Sequence, residues 1–307
     1  MDAPRDHGGG LDAARAAHGG ADWIDLSTGI NPQPYPLPDL PARAWTALPD
    51  RDAQDALIAA ARAIWQVPAG ADILPAPGAS ALIARLPLIA PPGPVRIPGP
   101  TYNEHEAAFR AAGHAIAPDG PTQVLVHPNN PDGHWHDALP VADLTILDES
   151  FCDVAPDRSH VALTDRPDTL ILKSFGKFWG LAGLRLGFAI AHPDTLAPLR
   201  DALGPWPVSG PALAIGTAAL RDTAWADATR TRLTADAARL DALMAPHGAI
   251  VGGTSLYRLY DTGDAATLQT RLARHRIWSR IFPYSATWLR LGLPPAEAWP
   301  RLQSALA

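Results

Sequence analysis

Lysine and cysteine are nearly missing from this chain of 307 residues. Only two of its 25 lysine and arginine residues are lysines, Lys173 and Lys177, and Cys152 is its single cysteine. One cysteine excludes an intramolecular disulfide and argues against a thiolate metal cluster. The sequence therefore predicts no metal site and fits a reducing, cytoplasmic environment.

Long apolar runs and basic runs are also missing. No stretch approaches the roughly 20 apolar residues that span a bilayer, and the start MDAPRDHGGG lacks the basic and apolar regions of an export signal. A net charge of −6 without a basic cluster argues against nucleic acid as the main partner. With 47% hydrophobic residues, we expect a globular protein of one large domain or two joined domains, bound to no membrane.

Short apolar runs alternate with helical patterns from about Asp72 to His192. The clearest predicted strands are TQVLVHP, DLTILDES, DTLILKS and LRLGFAIAH, and the helical patterns include GASALIARLPLIA and TYNEHEAAFRAAG. This alternation is typical of an α/β fold with a mainly parallel sheet, in which ligands bind at loops beyond the strand ends.

The pattern changes after about Pro205. A long helical stretch, TAWADATRTRLTADAARLDALMAPHG, is followed by shorter strands and helices, which predicts a second, smaller α+β domain. The first forty residues are rich in glycine and proline and have little periodicity, so we expect an arm or lid packed on that domain. The predicted division is an arm at 1–40, a large domain at 41–204 and a small domain at 205–307.

The placement of the two lysines calls for a chemical explanation. Base composition can explain why lysine is scarce, but not why both lysines fall in LILKSFGKFWGLAGLRLGF. Unlike arginine, lysine can lose its proton and condense with an aldehyde when its surroundings lower its pKa from about 10.4. The segment therefore suggests covalent amine chemistry.

Four motifs follow one another along the chain: GAS at Gly78, PNNPDG around Asn130, LDES at Asp148, and SFGK before Arg185. In this order and spacing the chain resembles the fold-type I pyridoxal-phosphate enzymes, the aspartate aminotransferase superfamily, and within it the histidinol-phosphate aminotransferase branch. The resemblance implies pyridoxal 5'-phosphate as cofactor. It also implies an α/β large domain with a mainly parallel mixed sheet and a small α+β domain at the carboxyl end.

The resemblance implies roles for several residues of the large domain. Lys177 would bind the cofactor aldehyde and move protons, and Asp148 would pair with the pyridine nitrogen. Asn130 would donate to the phenolic oxygen, and Tyr102 would stack on the ring, although an aromatic residue there fits the core equally well. Lys173 lacks the surrounding SxxK pattern and is interpreted as structural.

The cofactor phosphate needs hydrogen-bond donors and positive charge. Backbone N–H groups at a helix start after Gly78, at Ala79 and Ser80, are candidates because a helix N-terminus favours anions. The hydroxyls of Ser80 and Ser174 and the guanidinium of Arg185 complete the expected set.

The expected substrate contacts lie near the two ends of the chain. Arg290 in TWLRLGL would bind a carboxylate with its planar guanidinium, and Arg280 is a second anion contact. A solvent-facing strand arginine is the alternative for Arg290, and a flexible tail is the alternative for His7. The arm residues expected to line the substrate are His7, Ser27, Gly29 and Asn31.

Several features favour a decarboxylase subgroup over an aminotransferase. Phe151 stands where the superfamily often has a tyrosine, and the opening HGGGLDAARAAHGGADWIDLSTGINPQPYPLP is similar to that of threonine-phosphate decarboxylases. The closing segments RIFPYSATWLRLGLP and PAEAWPRL are similar as well. The resemblance implies decarboxylation of a small phosphorylated amino acid, L-threonine O-3-phosphate, to (R)-1-aminopropan-2-yl phosphate for cobalamin biosynthesis.

Other functions stay open at the level of sequence. An aminotransferase of histidinol phosphate or a related amino acid would break a different bond, and the sequence does not show which bond is aligned. A cofactor-binding regulator would carry an added DNA-binding domain, and a nicotinamide enzyme would show GxGxxG after its first strand; neither is visible. The family implies a homodimer, but Leu48 replaces a tyrosine that often reaches the partner's cofactor phosphate, which leaves that contact open.

Overall fold

The computed structural model describes residues 7–307, which divide into two compact units. The large unit consists of Pro34–Asn130 and Trp135–Asp227, and the small unit of residues 7–33, Pro131–His134 and Ala228–Ala307. No helix within residues 7–307 combines the length and the apolar character needed to cross a membrane.

Helices and strands alternate through most of the described chain. The helices are α1 (Leu11–His18), α2 (Arg43–Thr46), α3 (Arg51–Trp65), α4 (Ala79–Ile83), α5 (Asn103–Ala111), α6 (Pro193–Leu203), α7 (Gly210–Arg221), α8 (Thr223–Met244), α9 (Ala265–Arg274) and α10 (Trp299–Leu306). The strands are β1 (Ile24–Asp25), β2 (Asp72–Ala76), β3 (Val95–Arg96), β4 (Thr122–Val126), β5 (Leu144–Asp148), β6 (Thr169–Ser174), β7 (Gly187–Ala191), β8 (Ala249–Thr254), β9 (Tyr257–Asp261), β10 (Ile277–Trp278), β11 (Arg280–Phe282) and β12 (Ser285–Gly292).

The large unit is built on one mixed sheet. Within the described residues this sheet has six strands in the order β2-β7-β6-β5-β4-β3. Neighbouring strands from β3 to β6 pair in parallel, whereas β7 runs antiparallel to both β6 and β2. Consequently β2 and the four parallel strands all direct their carboxyl ends to the same edge, and the predicted mainly parallel mixed sheet is confirmed.

Burial on both faces explains the sequences of the central strands. Every residue of β4, β5 and β7 is buried, which matches the mainly apolar composition of these strands and the helices that cover the sheet. The core cluster includes Phe109, Ile146 and Leu170, each 0% exposed. Helix α3 adds a buried face, and its first turn is capped by Asp50, whose carboxylate accepts from the N–H of Ala53 at 3.0 Å.

The small unit contains an antiparallel sheet in the order β11-β12-β9-β8 and a short parallel pair, β1 with β10. The segment after β1 lies against the end of β12, where Gly292 N–H donates to the Leu26 carbonyl at 2.7 Å. A Cβ at Gly292 would lie 2.1 Å from the carbonyl oxygen of Thr28, so this close approach requires glycine.

The predicted fold class is confirmed, with an α/β large unit and an α+β small unit. Residues 7–33 group with the small unit, and their role as an arm stays a prediction. The predicted boundaries at 40 and 204 stay a prediction. Residues 1–6 of the predicted arm lie outside the described residues.

Candidate active site

The carboxyl edge of the large unit's sheet carries most of the predicted cofactor residues. Strand β4 leads to Asn130, β5 ends at Asp148, and β6 ends at Ser174 shortly before Lys177. Strand β2 ends just before Gly78 and so brings the GAS motif to the same edge. Ligands of open α/β sheets bind at this edge.

Asp148 is buried there, with 3% of its surface exposed. Its Oδ2 lies 2.8 Å from Nε2 of His105, a fully buried residue of α5. Its Oδ1 accepts from the backbone N–H of Ser150 at 3.0 Å and from the hydroxyl of the same residue. A carboxylate has about four lone-pair sites, so Asp148 keeps acceptor capacity for a further donor.

The charge state of Asp148 follows from these contacts. Burial by itself would raise the pKa of Asp148, but the hydrogen bond and charge of His105, together with Ser150, hold this pKa below its usual value. Asp148 is therefore a carboxylate at neutral pH, the form that can accept from a protonated ring nitrogen.

Lys177 lies in the turn after β6 and is partly buried. Its Nζ lies 5.3 Å from the centroid of the Phe151 ring, three residues beyond Asp148. The flanking aromatic residues Phe175, Phe178 and Trp179 are each 0% exposed and anchor the turn in the core. The primary amine is thus held next to the segment that carries the buried carboxylate.

Arg185 lies directly against Gly78. Gly78 has a φ of +87°, and a Cβ on it would come within 2.6 Å of Nη2 of Arg185, so conformation and space both require glycine. Arg185 is itself left-handed, with a φ of 54°, and donates to the Ala182 carbonyl at 3.1 Å. The structure therefore brings the GAS motif and the predicted guanidinium together.

The helix that follows this glycine is shorter than expected. Helix α4 has five residues, so its dipole adds little positive charge. Ala79 is buried and Ser80 is exposed, while the Ser174 hydroxyl accepts from Gly176 N–H at 3.3 Å. Positive charge at this position comes mainly from Arg185.

Tyr102 and Asn130 lie on loops that are tied together. The Asn129 side chain donates to the Pro100 carbonyl at 3.1 Å and accepts from the Thr101 hydroxyl at 2.7 Å. The Tyr102 ring meets the His105 ring edge-on, with centroids 6.0 Å apart, and it also packs against the core cluster. Tyr102 thus lies beside the partner of Asp148 and against the core, and its stacking on the cofactor ring stays a prediction.

Lys173 lies in a buried ion-pair network. Its Nζ is 2.7 Å from Oε2 of Glu149 and 3.5 Å from Oδ1 of Asp153. Burial alone would lower the pKa of Lys173, but the charges of Glu149 and Asp153 and the hydrogen bond to Glu149 raise it above its usual value. A lysine held in its charged form cannot act as a nucleophile at neutral pH, in accord with the structural interpretation.

The same network bears on metal binding. His127, Glu149 and Cys152 each offer a ligand atom, and these atoms lie within 4.8 Å of one another. Glu149, however, already faces the Lys173 ammonium, and burial raises the pKa of the Cys152 thiol well above its usual value. Since a metal ligand must be deprotonated, this group is poorly suited to a cation.

In the small unit, Arg290 is buried rather than solvent-facing. It is 5% exposed, its Nη2 donates to the Ser27 carbonyl at 2.7 Å, and its guanidinium lies 5.1 Å from the Tyr257 ring centroid. Arg280 is its cross-strand partner on β11. Burial, aided by the charge of Arg280, lowers the pKa of Arg290 to about 10, so the guanidinium stays charged.

The predicted arm residues have separate positions within the small unit. Ser27 is 1% exposed and accepts from Gly9 N–H at 2.7 Å, and the Asn31 side chain accepts from Nη2 of Arg232 at 2.8 Å. Gly29 is buried, whereas His7 is exposed. The structure therefore brings Ser27 to Arg290 and ties Asn31 to an arginine that the sequence interpretation missed.

A sequence profile described as "Aminotransferase class I and II" matches residues 122–299. This match covers more than half of the chain. The chain belongs to the class I and II aminotransferase family. Members of this family depend on pyridoxal phosphate.

Two curated relatives cover almost the whole chain. A threonine-phosphate decarboxylase of Sinorhizobium sp is 41% identical, covering 100% of this chain and 99% of the relative. A threonine-phosphate decarboxylase of Pseudomonas aeruginosa is also 41% identical, covering 93% of this chain and 92% of the relative. The first of these similarities extends over the whole chain, including the amino-terminal segment.

The solved structures agree with this assignment at the level of fold. The histidinol-phosphate aminotransferase of Sinorhizobium meliloti, solved in complex with pyridoxal-5'-phosphate, superposes with a TM-score of 0.81 at 20% identity. The superposition covers 97% of this chain and 93% of that one.

The donor set at the sheet edge fits the cofactor of the class I and II aminotransferases. A phosphate needs a positive charge and a backbone that it can approach closely. Both are present where the Arg185 guanidinium lies against Gly78. A protonated pyridine nitrogen needs a buried carboxylate, which Asp148 provides. An aldehyde needs a primary amine, and Lys177 lies at the same edge.

Sequence reasoning missed His105, Ser150 and the partners of Lys173. His105 had a detectable signal, since it lies in the first turn of the predicted helix, three residues after Tyr102. Asp153 had no such signal, because its partners are distant in sequence and meet it only in the folded core.

Proposed function

We propose that this chain is a pyridoxal-phosphate-dependent decarboxylase that converts L-threonine O-3-phosphate to (R)-1-aminopropan-2-yl phosphate for cobalamin biosynthesis. The observation that carries the proposal is the similarity to two threonine-phosphate decarboxylases, which covers 100% and 93% of this chain. The match to the Sinorhizobium relative includes the amino-terminal segment, which the class I and II profile does not match.

Lys177 and Asp148 are the residues that would hold the reactive part of the cofactor. When bound, pyridoxal phosphate supplies an electron sink for the electron pair released as carbon dioxide leaves the substrate. The Lys177 ε-amine would hold it covalently, and the Asp148 carboxylate would keep its ring nitrogen protonated. His105 keeps Asp148 charged and oriented, because it is bonded to Oδ2 in a buried position.

The phosphate and the remaining ring atoms would be held by the other predicted residues. Arg185, with Ser174 and the backbone at Gly78, Ala79 and Ser80, supplies donors for the phosphate. Asn130 and Tyr102, on adjoining loops, would contact the ring oxygen and the ring face.

Lys177 also has the chemistry needed to finish the reaction. Decarboxylation leaves the substrate Cα in need of a proton, and Lys177 Nζ, as an ammonium not bonded to the cofactor, would be the group that donates it. A neutral amine at the same atom would remove the Cα proton in an aminotransferase. The outcome depends on which substrate bond lies perpendicular to the ring.

Substrate contacts are proposed for the small unit. Arg290 is the candidate for the carboxylate, since it is charged, buried and held in place by Ser27. Arg280, His7, Gly29 and Asn31 are candidates for the rest of the substrate, including its phosphate. Residence in the cytoplasm and a homodimer are further parts of this proposal.

The test is a product assay with the purified holoenzyme and L-threonine O-3-phosphate. The proposal expects carbon dioxide and aminopropanyl phosphate in equal amounts, without any keto acid. An aminotransferase would instead form a keto product and stop unless 2-oxoglutarate were added. If only keto product appears, the decarboxylase proposal fails while its cofactor part survives. Lys177→Ala, which removes the amine, is the negative control.

A further inference from the structure

Two consecutive carboxylates at the end of β5, Asp148 and Glu149, have entirely different partners. Asp148 faces His105, whereas Glu149 faces Lys173 of β6. Glu149 is held further by the Ser159 hydroxyl and by the N–H of His160 at 2.7 Å. Since successive residues of an extended chain point to opposite sides, the Lys173 network lies behind the carboxylate proposed for the cofactor.

Asp153 extends this network to the turn that carries Lys177. Its Oδ2 accepts from the indole N–H of Trp179 at 2.9 Å, and its Oδ1 accepts from the indole N–H of Trp65 at 3.0 Å. Lys173 Nζ lies 3.5 Å from the same Oδ1. The Asp153 carboxylate is buried, with 4% of its surface exposed. It therefore contacts residues on both sides of Lys177 in sequence, Lys173 in β6 and Trp179 in the turn.

Trp179 is well placed to transmit this contact. Its ring stacks between Phe175 and Trp225, with centroids 5.2 Å and 5.5 Å away. Its carbonyl accepts from Tyr35 N–H at 2.9 Å, and Gly180 N–H donates to the Lys177 carbonyl at 3.1 Å. The indole is held in one orientation, so a bond at its nitrogen constrains the whole turn.

We propose that Asp153 is a positioning residue for Lys177, acting through the indole of Trp179. Lys173 is the third member of this network, because its ammonium faces both Glu149 and Asp153 and stabilises their charges in the core. The two lysines of the chain therefore have different roles. Lys177 bonds to the cofactor, and Lys173 stabilises the Asp153 carboxylate that positions Lys177. The inference rests on the proposed covalent role of Lys177.

Trp179 and Trp65 form a matched pair for the test. Each donates one hydrogen bond to the same carboxylate, so Trp179→Phe and Trp65→Phe each leave one Asp153 oxygen with fewer donors and keep an aromatic ring. Trp179 belongs to the Lys177 turn, whereas Trp65 ends α3, which carries none of the proposed site residues. If the bonds to Asp153 only stabilise the fold, both variants should lower the unfolding temperature without slowing attachment at Lys177.

The readout is covalent attachment rather than turnover. Apoprotein is mixed with pyridoxal phosphate, and borohydride is added at set times to reduce the carbon–nitrogen double bond at Lys177 to a stable amine. Peptide mass spectrometry then gives the rate and yield of attachment at Lys177. We expect Trp179→Phe to slow attachment about tenfold and Trp65→Phe to stay within about twofold of wild type. Thermal unfolding of both apoproteins accompanies the measurement.

Asp153→Asn gives a second route if Trp179→Phe does not fold. The amide oxygen would turn toward Trp65 and Lys173, which present two donors, so the NH₂ group would face the Trp179 indole and break that hydrogen bond while the other two contacts keep an acceptor. This variant should therefore behave like Trp179→Phe. Equal attachment rates in wild type and in the variants that break the Trp179 bond would overturn the inference. No attachment to Lys177 in wild type would instead refute the proposed function.

Discussion

The two sides of the β5 end use buried carboxylates in opposite ways. On one side, Asp148 is bonded to His105 and Ser150 and keeps acceptor capacity for a ligand. On the other, Glu149 and Asp153 face a lysine inside the protein and are saturated by neighbouring donors. Both Asp148 and Glu149 have pKa values below their usual range, although burial alone would raise them.

The difference shows what separates a ligand-binding charge from a structural one. A buried carboxylate needs compensation, but the compensating group decides whether the charge remains available. Histidine and serine stabilise Asp148 through hydrogen bonds that leave room for a ring N–H. The Lys173 ammonium neutralises Glu149 and Asp153, so these carboxylates are not available to bind a cofactor.

The comparison between the two lysines gives the largest expected effect. Lys177→Ala should abolish the visible band of the holoenzyme and lower kcat by about 10⁴-fold, because it removes the covalent tether and the proton carrier together. Its apoprotein should unfold at nearly the wild-type temperature, since Lys177 is only partly buried. Absorption spectra, product assays and thermal unfolding of the same preparation test this, and a wild-type band in the variant would contradict it.

Lys173→Met should instead lower the stability of the protein. It leaves Glu149 and Asp153 charged and uncompensated in the core, so we expect a loss of about 3–5 kcal/mol in unfolding free energy. Urea unfolding of the apoprotein measures it. Adding Glu149→Gln should recover part of the loss, because it removes one uncompensated charge. A Lys173→Met protein with wild-type stability would show that the network is not needed for folding.

Asp148→Asn tests the ligand-facing side. The amide cannot keep a ring nitrogen protonated, so kcat should fall by about 10²-fold while the lysine-bound cofactor is retained. Kinetics and absorption spectra on one holoenzyme sample test both parts. Full activity in this variant would remove Asp148 from the proposed mechanism.

His105→Phe should have the smallest effect, which is measured as a change in how the unfolding free energy depends on pH. Asp148 has a lowered pKa in the folded state, so its stabilising contribution is complete above the unfolded value of about 3.9 and is lost as pH falls through the lower folded pKa. Without His105, the decrease in unfolding free energy on acidification should be smaller by about 1 kcal/mol. Urea unfolding of apoprotein at pH 7 and pH 3 measures the change.

A matched histidine serves as the control for that measurement. His114 contacts the Gly93 carbonyl through Nδ1 and has no carboxylate partner in that bond. His114→Phe should leave the acid-induced loss unchanged. The same reduction in both variants would rule out the His105–Asp148 bond as its cause.

Much of the fold was predictable because hydrophobic periodicity is local. The runs TQVLVHP, DLTILDES and DTLILKS became β4, β5 and β6, and the interval between them predicted a parallel sheet. The motif order then placed Asp148, Lys177 and Gly78 at the ends of strands that share one edge. Short elements such as β1 and β10 had no such signal, since two residues cannot show a period.

The burial of Arg290 was beyond what alternation could predict. Strand spacing put it opposite Leu289 and Leu291, which left a solvent-facing side chain as the alternative to a substrate contact, but all three residues are buried in β12. The chain from Leu26 to Thr28 covers the other face of that strand, and its contact depends on residues more than 250 positions away in sequence. Only the fold brings them together.

The sequence by itself determined the fold class, the family and which lysine carries the SxxK pattern, because these depend on short-range patterns and on the order of motifs. The tertiary structure decided how each buried charge is compensated: His105 for Asp148, Lys173 for Glu149 and Asp153. Electrostatic compensation acts over a few ångströms of space regardless of separation along the chain, so no local pattern can encode it.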